Sequence, residues 1–127
     1  MSKAERTLSS ARLLLEHGDA DGARNRAYYA MFDVARAALI ASGFSEVVAG
    51  SRTHQELISA FGLHMVKTGL ADAVFGIGIN KVERLRKLAD YTGDPVSASD
   101  ASWAVKQAEA FVEYVRNLIV RTGQRIR

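Results

Sequence analysis

The chain has 127 residues, 48% of them apolar and 24% charged, a balance suited to one packed core and far from that of a disordered segment. Basic residues exceed acidic ones by 17 to 14, a mild excess that permits contact with nucleic acid without demanding it. With no cysteine, and three histidines (His17, His54 and His64) at no metal-ligand spacing, disulfides and thiolate sites are excluded and neither a metal nor another cofactor is expected.

From Ala4 to Glu16 the apolar positions Ala4, Leu8, Ala11 and Leu15 recur at helical steps, which predicts an amphipathic first helix. Gly18 stands where a helix-ending glycine belongs, and Asp19 or Asp21 is placed to cap the next helix. Between Gly22 and Ser42 two stripes run side by side: Ala27, Met31, Val34 and Ala38, then Tyr28, Phe32, Ala35 and Leu39. So wide an apolar face predicts a helix central to the bundle. Residues 44 to 53 read as a connector. Ser51 or Thr53 then starts a short helix through Leu57, Ile58 and Phe61, and Gly62 and Gly69 bound a turn or a broken helix.

A longer helix is expected from Leu70 to about Leu88 or Tyr91, with Val74, Phe75, Ile79, Val82 and Leu85 facing the core. Gly76 and Gly78 fall inside it, signalling either close helix packing or a local break. Thr92, Gly93, Asp94 and Pro95 break the pattern, and Ser97 with Asp100 resembles a capping box. The last helix is expected from Ala98 to Arg121, with Ala104, Ala108, Phe111, Val115 and Leu118 inward. Its basic end (Arg116, Arg121, Arg125 and Arg127) reads as a solvated helix terminus. No alternating strand pattern occurs. The expectation is an all-α, up-and-down bundle of four to five helices, with residues 1–127 forming a single domain. No export signal and no run of the ~20 apolar residues that cross a bilayer is present, so the protein is expected in the cytoplasm and away from the membrane.

Two segments resemble those of HEPN domains, with order and spacing kept over roughly residues 5 to 120. Asn25-Arg26-Ala27-Tyr28-Tyr29-Ala30-Met31-Phe32 is similar to the second-helix signature of that family, and Arg86-Lys87-Leu88-Ala89-Asp90-Tyr91 to its "R…ADY" element. The resemblance implies a homodimer joined through the penultimate helices. It implies a role in a toxin–antitoxin or nucleotide-linked system, binding or cleaving RNA or binding nucleotide, with a minimal nucleotidyltransferase as antitoxin partner. In the nucleases of this family an Arg is followed four to six residues later by His. Arg86 matches the Arg, but Tyr91 stands where the His belongs, and no His occurs after position 64.

The residues themselves leave the chemistry open. An Arg gives bidentate hydrogen bonds to phosphate, whereas a tyrosine is a weak base at neutral pH. Arg86, Asp90 and Tyr91 are therefore the candidate catalytic group of a metal-independent ribonuclease, with Arg84, Arg86 and Lys87 as candidate nucleic-acid or nucleotide contacts. The plain alternative is an Arg86–Asp90 ion pair on one helix face and a degenerate site in a non-catalytic, dimeric helical adaptor. Arg26 and Tyr29 are supporting candidates, Arg26 expected to pair with Asp90 or Asp33. His54 and His64 read as helix-end or surface histidines. In an antitoxin-linked system Tyr91 is the natural acceptor hydroxyl for a transferred nucleotide.

Overall fold

A computed structural model describes residues 2–126, with side chains through residue 122. Six α-helices succeed one another, α1 (Ser2–Glu16), α2 (Ala20–Ala41), α3 (Ser45–Gly50), α4 (His54–Phe61), α5 (Ala73–Thr92) and α6 (Ala98–Ile126), with a π-helical turn at Gly62–Val66. No strand occurs among the described residues. The fold is the expected all-α bundle, with α3 as an additional short element.

Local chemistry explains the boundaries. Gly18 takes a φ of 81°, reversing the chain between α1 and α2, and the Asp19 carboxylate caps α2 by accepting from the Gly22 N–H at 2.9 Å. Thr53 caps α4 through the Glu56 N–H, and Ser97 accepts from the Asp100 N–H at 3.1 Å. The connector after Gly43 closes into α3 because the Phe44 carbonyl accepts from the Val48 N–H and the Ser51 hydroxyl donates to the Val47 carbonyl. At Gly62 the winding loosens: the Lys67 N–H reaches back five residues to the Gly62 carbonyl, and Met65 stays buried.

All eight stripe residues of α2 are buried. This helix lies against α1, α4, α5 and α6, which makes it the centre of the bundle. Arg12 pairs with Glu109 at 3.1 Å and Arg116 with Glu5 at 2.7 Å, so α1 and α6 run antiparallel with ion pairs at two levels. The Arg125 side chain and Arg127 lie outside the described residues. Ile79 and Val82 of α5 are buried as expected and Phe75 and Leu85 are half-buried, but Val74 is 54% exposed. It sits in the first turn of α5, on the outward side, where no other element covers it.

Gly76 and Gly78 are both buried inside an unbroken α5, so close packing is their role. A methyl at Gly76 would meet Val66 Cγ2 at 3.1 Å, whereas the closest atom to one at Gly78 would be the Gln107 amide oxygen, at 2.9 Å. That amide ends a flexible side chain and can move. Gly78→Ala is therefore expected to stabilise the fold by about 0.5 kcal/mol, helix propensity outweighing the shift of Gln107. Urea unfolding checks this, and a loss of stability would show that the space at Gly78 is required.

Candidate functional site

Position on α5 divides the residues of the Arg86–Tyr91 element. Arg86 and Asp90 are one helical turn apart on the side facing α2, and the guanidinium Nη1 reaches Asp90 Oδ2 at 3.5 Å. Tyr91, five residues from Arg86, points about 140° away around the helix. It is 90% exposed. Arg84 is exposed on α5, and Lys87 bonds back to Glu83 at 3.5 Å. The structure thus brings Arg86 and Asp90 together and leaves Tyr91 on another face.

Arg86 is held mainly by Glu83, a residue to which no sequence motif points. Its Nε and Nη2 meet the two carboxylate oxygens of Glu83, each at 3.3 Å, and Glu83 is only 3% exposed. The guanidinium also lies over the Tyr28 ring, 4.7 Å from its centre. A guanidinium carries five N–H donors. Three of its bonds go to Glu83 and Asp90. Burial alone would raise the pKa of Glu83, but hydrogen bonds from Arg86 and Tyr28 and the charges of Arg86 and Lys87 hold it below the ordinary value. Burial, then the Glu83 carboxylate, pushes the Tyr28 hydroxyl well above its ordinary range.

Tyr28 carries this cluster across the core to α4. Its hydroxyl lies 3.0 Å from Nδ1 of His54, the first residue of that helix. Where His54 carries its proton on Nδ1, that N–H donates to the Tyr28 hydroxyl. That tautomer leaves Nε2 with a free lone pair. The imidazole packs 4.3 Å from the Phe32 ring, centre to centre. Spacing along the sequence hides this contact, since His54 lies 26 residues from Tyr28.

His54 lines an open groove of about 430 Å³ between the starts of α1 and α4, with its floor on α2. Arg26, Tyr29, Asp33 and Arg36, at helical steps along α2, and Lys3 of α1 line it too. Lys3 meets Asp33 at 3.8 Å, while Arg26 and Arg36 have no carboxylate partner among the described residues. The expected pairing of Arg26 with Asp33 or Asp90 does not form, since Asp33 pairs with Lys3 and Asp90 with Arg86. Two guanidiniums without a carboxylate, that of Arg36 lying 5.3 Å from the centre of the Phe32 ring, a histidine and the half-exposed ring of Tyr29 make a surface suited to a phosphate backbone and an unstacked base. His64 lies elsewhere, stacked on Phe44 at 4.9 Å. No cluster of metal-ligating side chains occurs among the described residues. No described helix is long and apolar enough to cross a membrane.

The HEPN domain family model matches residues 1–118. The chain is 34% identical over 116 residues to a Methanocaldococcus jannaschii protein named "Putative toxin", covering 91% of this chain and 83% of that one. It is 33% identical over 123 residues to a UPF0332 protein of Gloeobacter violaceus, covering 95% and 94%. It is 32% identical over 120 residues to a UPF0332 protein of Thermotoga maritima, covering 92% and 86%. No solved structure matches the chain.

Proposed function

Because the chain belongs to the HEPN domain family, we propose that it is a toxin-type protein of the cytoplasm that binds RNA along the α1–α2–α4 groove and cleaves it without a metal. The observation that carries this reading is the linkage of His54, through Tyr28, to the Glu83–Arg86 pair beside two unpaired arginines. It supplies, from α4, the imidazole missing after Arg86. In the reaction, His54 Nε2 takes the proton of a 2′-hydroxyl and the 2′-oxygen attacks the adjacent phosphorus. A 2′,3′-cyclic phosphate forms, and the leaving 5′-oxygen takes a proton from solvent. Arg26 and Arg36, about 15 Å apart along the axis of α2, contact phosphates at either end of the groove. Arg86 and Asp90 act behind the groove by fixing Glu83, and with it Tyr28 and His54.

The outward line of α5 supports a homodimer. Ala73, Ile77, Leu88 and Tyr91 lie along it and are exposed. A nucleotidyltransferase partner, as expected from the resemblance, has in Tyr91 an accessible hydroxyl to modify. The commitment of Arg86 to Glu83 and Asp90 favours one other reading, a non-catalytic dimeric adaptor.

Purified protein in a metal chelator, incubated with mixed-sequence RNA, is expected to cleave it. His54→Gln, which keeps a hydrogen-bonding side chain near Tyr28, should cut the rate about a hundredfold with little change in melting temperature. Arg26→Ala with Arg36→Ala should weaken RNA binding and flatten its salt dependence. Equal rates in His54→Gln and the parent would exclude His54 as the base, and no cleavage by either would leave the adaptor reading.

A further inference from the structure

On the other side of α2, Arg24 occupies a position that the apolar stripes predict to be inside: three residues before Ala27 and four before Tyr28. It is 4% exposed. Its Nη1 donates to the Leu85 carbonyl at 3.3 Å and its Nη2 to Asn25 Oδ1 at 3.1 Å, while Nε has no partner. No carboxylate lies within ion-pair distance among the described residues. A guanidinium buried without an anion is costly, and Arg24 is held by neutral groups alone.

Arg24 lines a pocket of about 210 Å³ between α5, the 93–97 linker and α6. Leu88, Pro95, Val96 and Trp103 make its walls apolar. The linker is fixed over it by the Val96 N–H, which donates to Asp21 Oδ1 at 3.3 Å. Lys81, outside the pocket lining, places its Nζ 4.8 Å from the centre of the Trp103 ring. Asp94 and Asp100, both exposed, also line the pocket, and they disfavour a doubly charged anion. The volume equals roughly seven waters, room for a carboxylate on a body of about five carbons.

We propose that this pocket binds a small monocarboxylic acid with an apolar body, its carboxylate meeting Arg24 and its body packing against Trp103 and Leu88. The proposal does not depend on the RNA reading. It differs from a phosphate site in its single charge and its apolar walls.

Trp103 is the only tryptophan in the chain, so its emission reports the pocket directly. Titrating the full chain with 4-methylpentanoate should give a saturable emission change. The isosteric alcohol, 4-methylpentan-1-ol, should bind at least tenfold more weakly. Arg24→Gln should weaken the acid at least tenfold. Ala89→Leu, which fills the pocket and leaves Arg24 in place, should abolish the response and covers the case in which Arg24→Gln does not fold. The proposal is overturned by no saturable change up to roughly 10 mM acid, by equal binding of the alcohol or of inorganic phosphate, or by a response that survives Ala89→Leu. A peptide with C-terminal leucine that binds as tightly as the free acid would overturn the small-molecule source.

Discussion

Replacing Glu83 by Ala is expected to lower the stability of the fold by about 3 kcal/mol. The Glu83 carboxylate accepts from Arg86 Nε and Nη2 and pairs with Lys87, all while nearly inaccessible to solvent. Its removal strands the Arg86 guanidinium against the Tyr28 ring with only Asp90 left, at 3.5 Å. Broken buried pairs cost about 3–5 kcal/mol, and the partial exposure of Arg86 places this one at the low end. Arg86→Ala should cost a similar amount. The double variant should cost less than the two together, by about 1–2 kcal/mol, since each partner's burial penalty disappears with the other.

Acid titration reads the same pair. The pKa of Glu83 lies below its ordinary value of 4.5 in the folded state, so its contribution is complete above that value and fades as pH falls below it. Urea unfolding between about pH 3 and 7 should therefore show a shallower acid decline in Glu83→Gln than in the parent. An identical decline, or a loss below about 1 kcal/mol in Glu83→Ala at neutral pH, would show that the pair is replaceable by water.

Phe111→Ala should cost about 4 kcal/mol, more than the loss of the Glu83 carboxylate. The ring is fully buried on α6, edge-on to Phe61 of α4 at 5.4 Å and stacked on Phe75 of α5 at 5.3 Å, and Phe75 in turn stacks on Tyr114 at 4.3 Å. Three helices meet at one side chain, so none of them can close the space without leaving its other contacts. Leu13→Ala, an apolar truncation on the exposed side of α1, should stay within about 0.5 kcal/mol. Comparable losses at the two positions in denaturant unfolding would contradict this packing.

Period and capping made most of the fold legible in the sequence. The double stripe of α2 predicted its eight buried residues because helical periodicity over two full stripes admits little else, and Gly18, Thr53 and Gly93 mark real boundaries. The same periodicity, carried one turn backward, reaches Arg24 and bypasses Arg26, so the buried arginine is also written in the stripes. Val74 fits the apolar list by composition yet lies off the inward face of α5. The π turn left no local trace beyond Gly62, since its looser winding arises from how Met65 and Val66 pack. His54 was least legible. Its place beside Tyr28 rests on a bond that only the tertiary fold creates, and a lone histidine at a helix start resembles any other.

The placement of α6 along α2 has a consequence for the order of folding. Much of the central helix's apolar surface is answered by side chains between Ala101 and Val115, so α2 is not covered until α6 docks. Until then α1 and α2 form a hairpin with an open flank, and the pairing that completes the nucleus spans most of the chain. The step that limits folding is therefore expected to be α6 finding α2, not the winding of either helix.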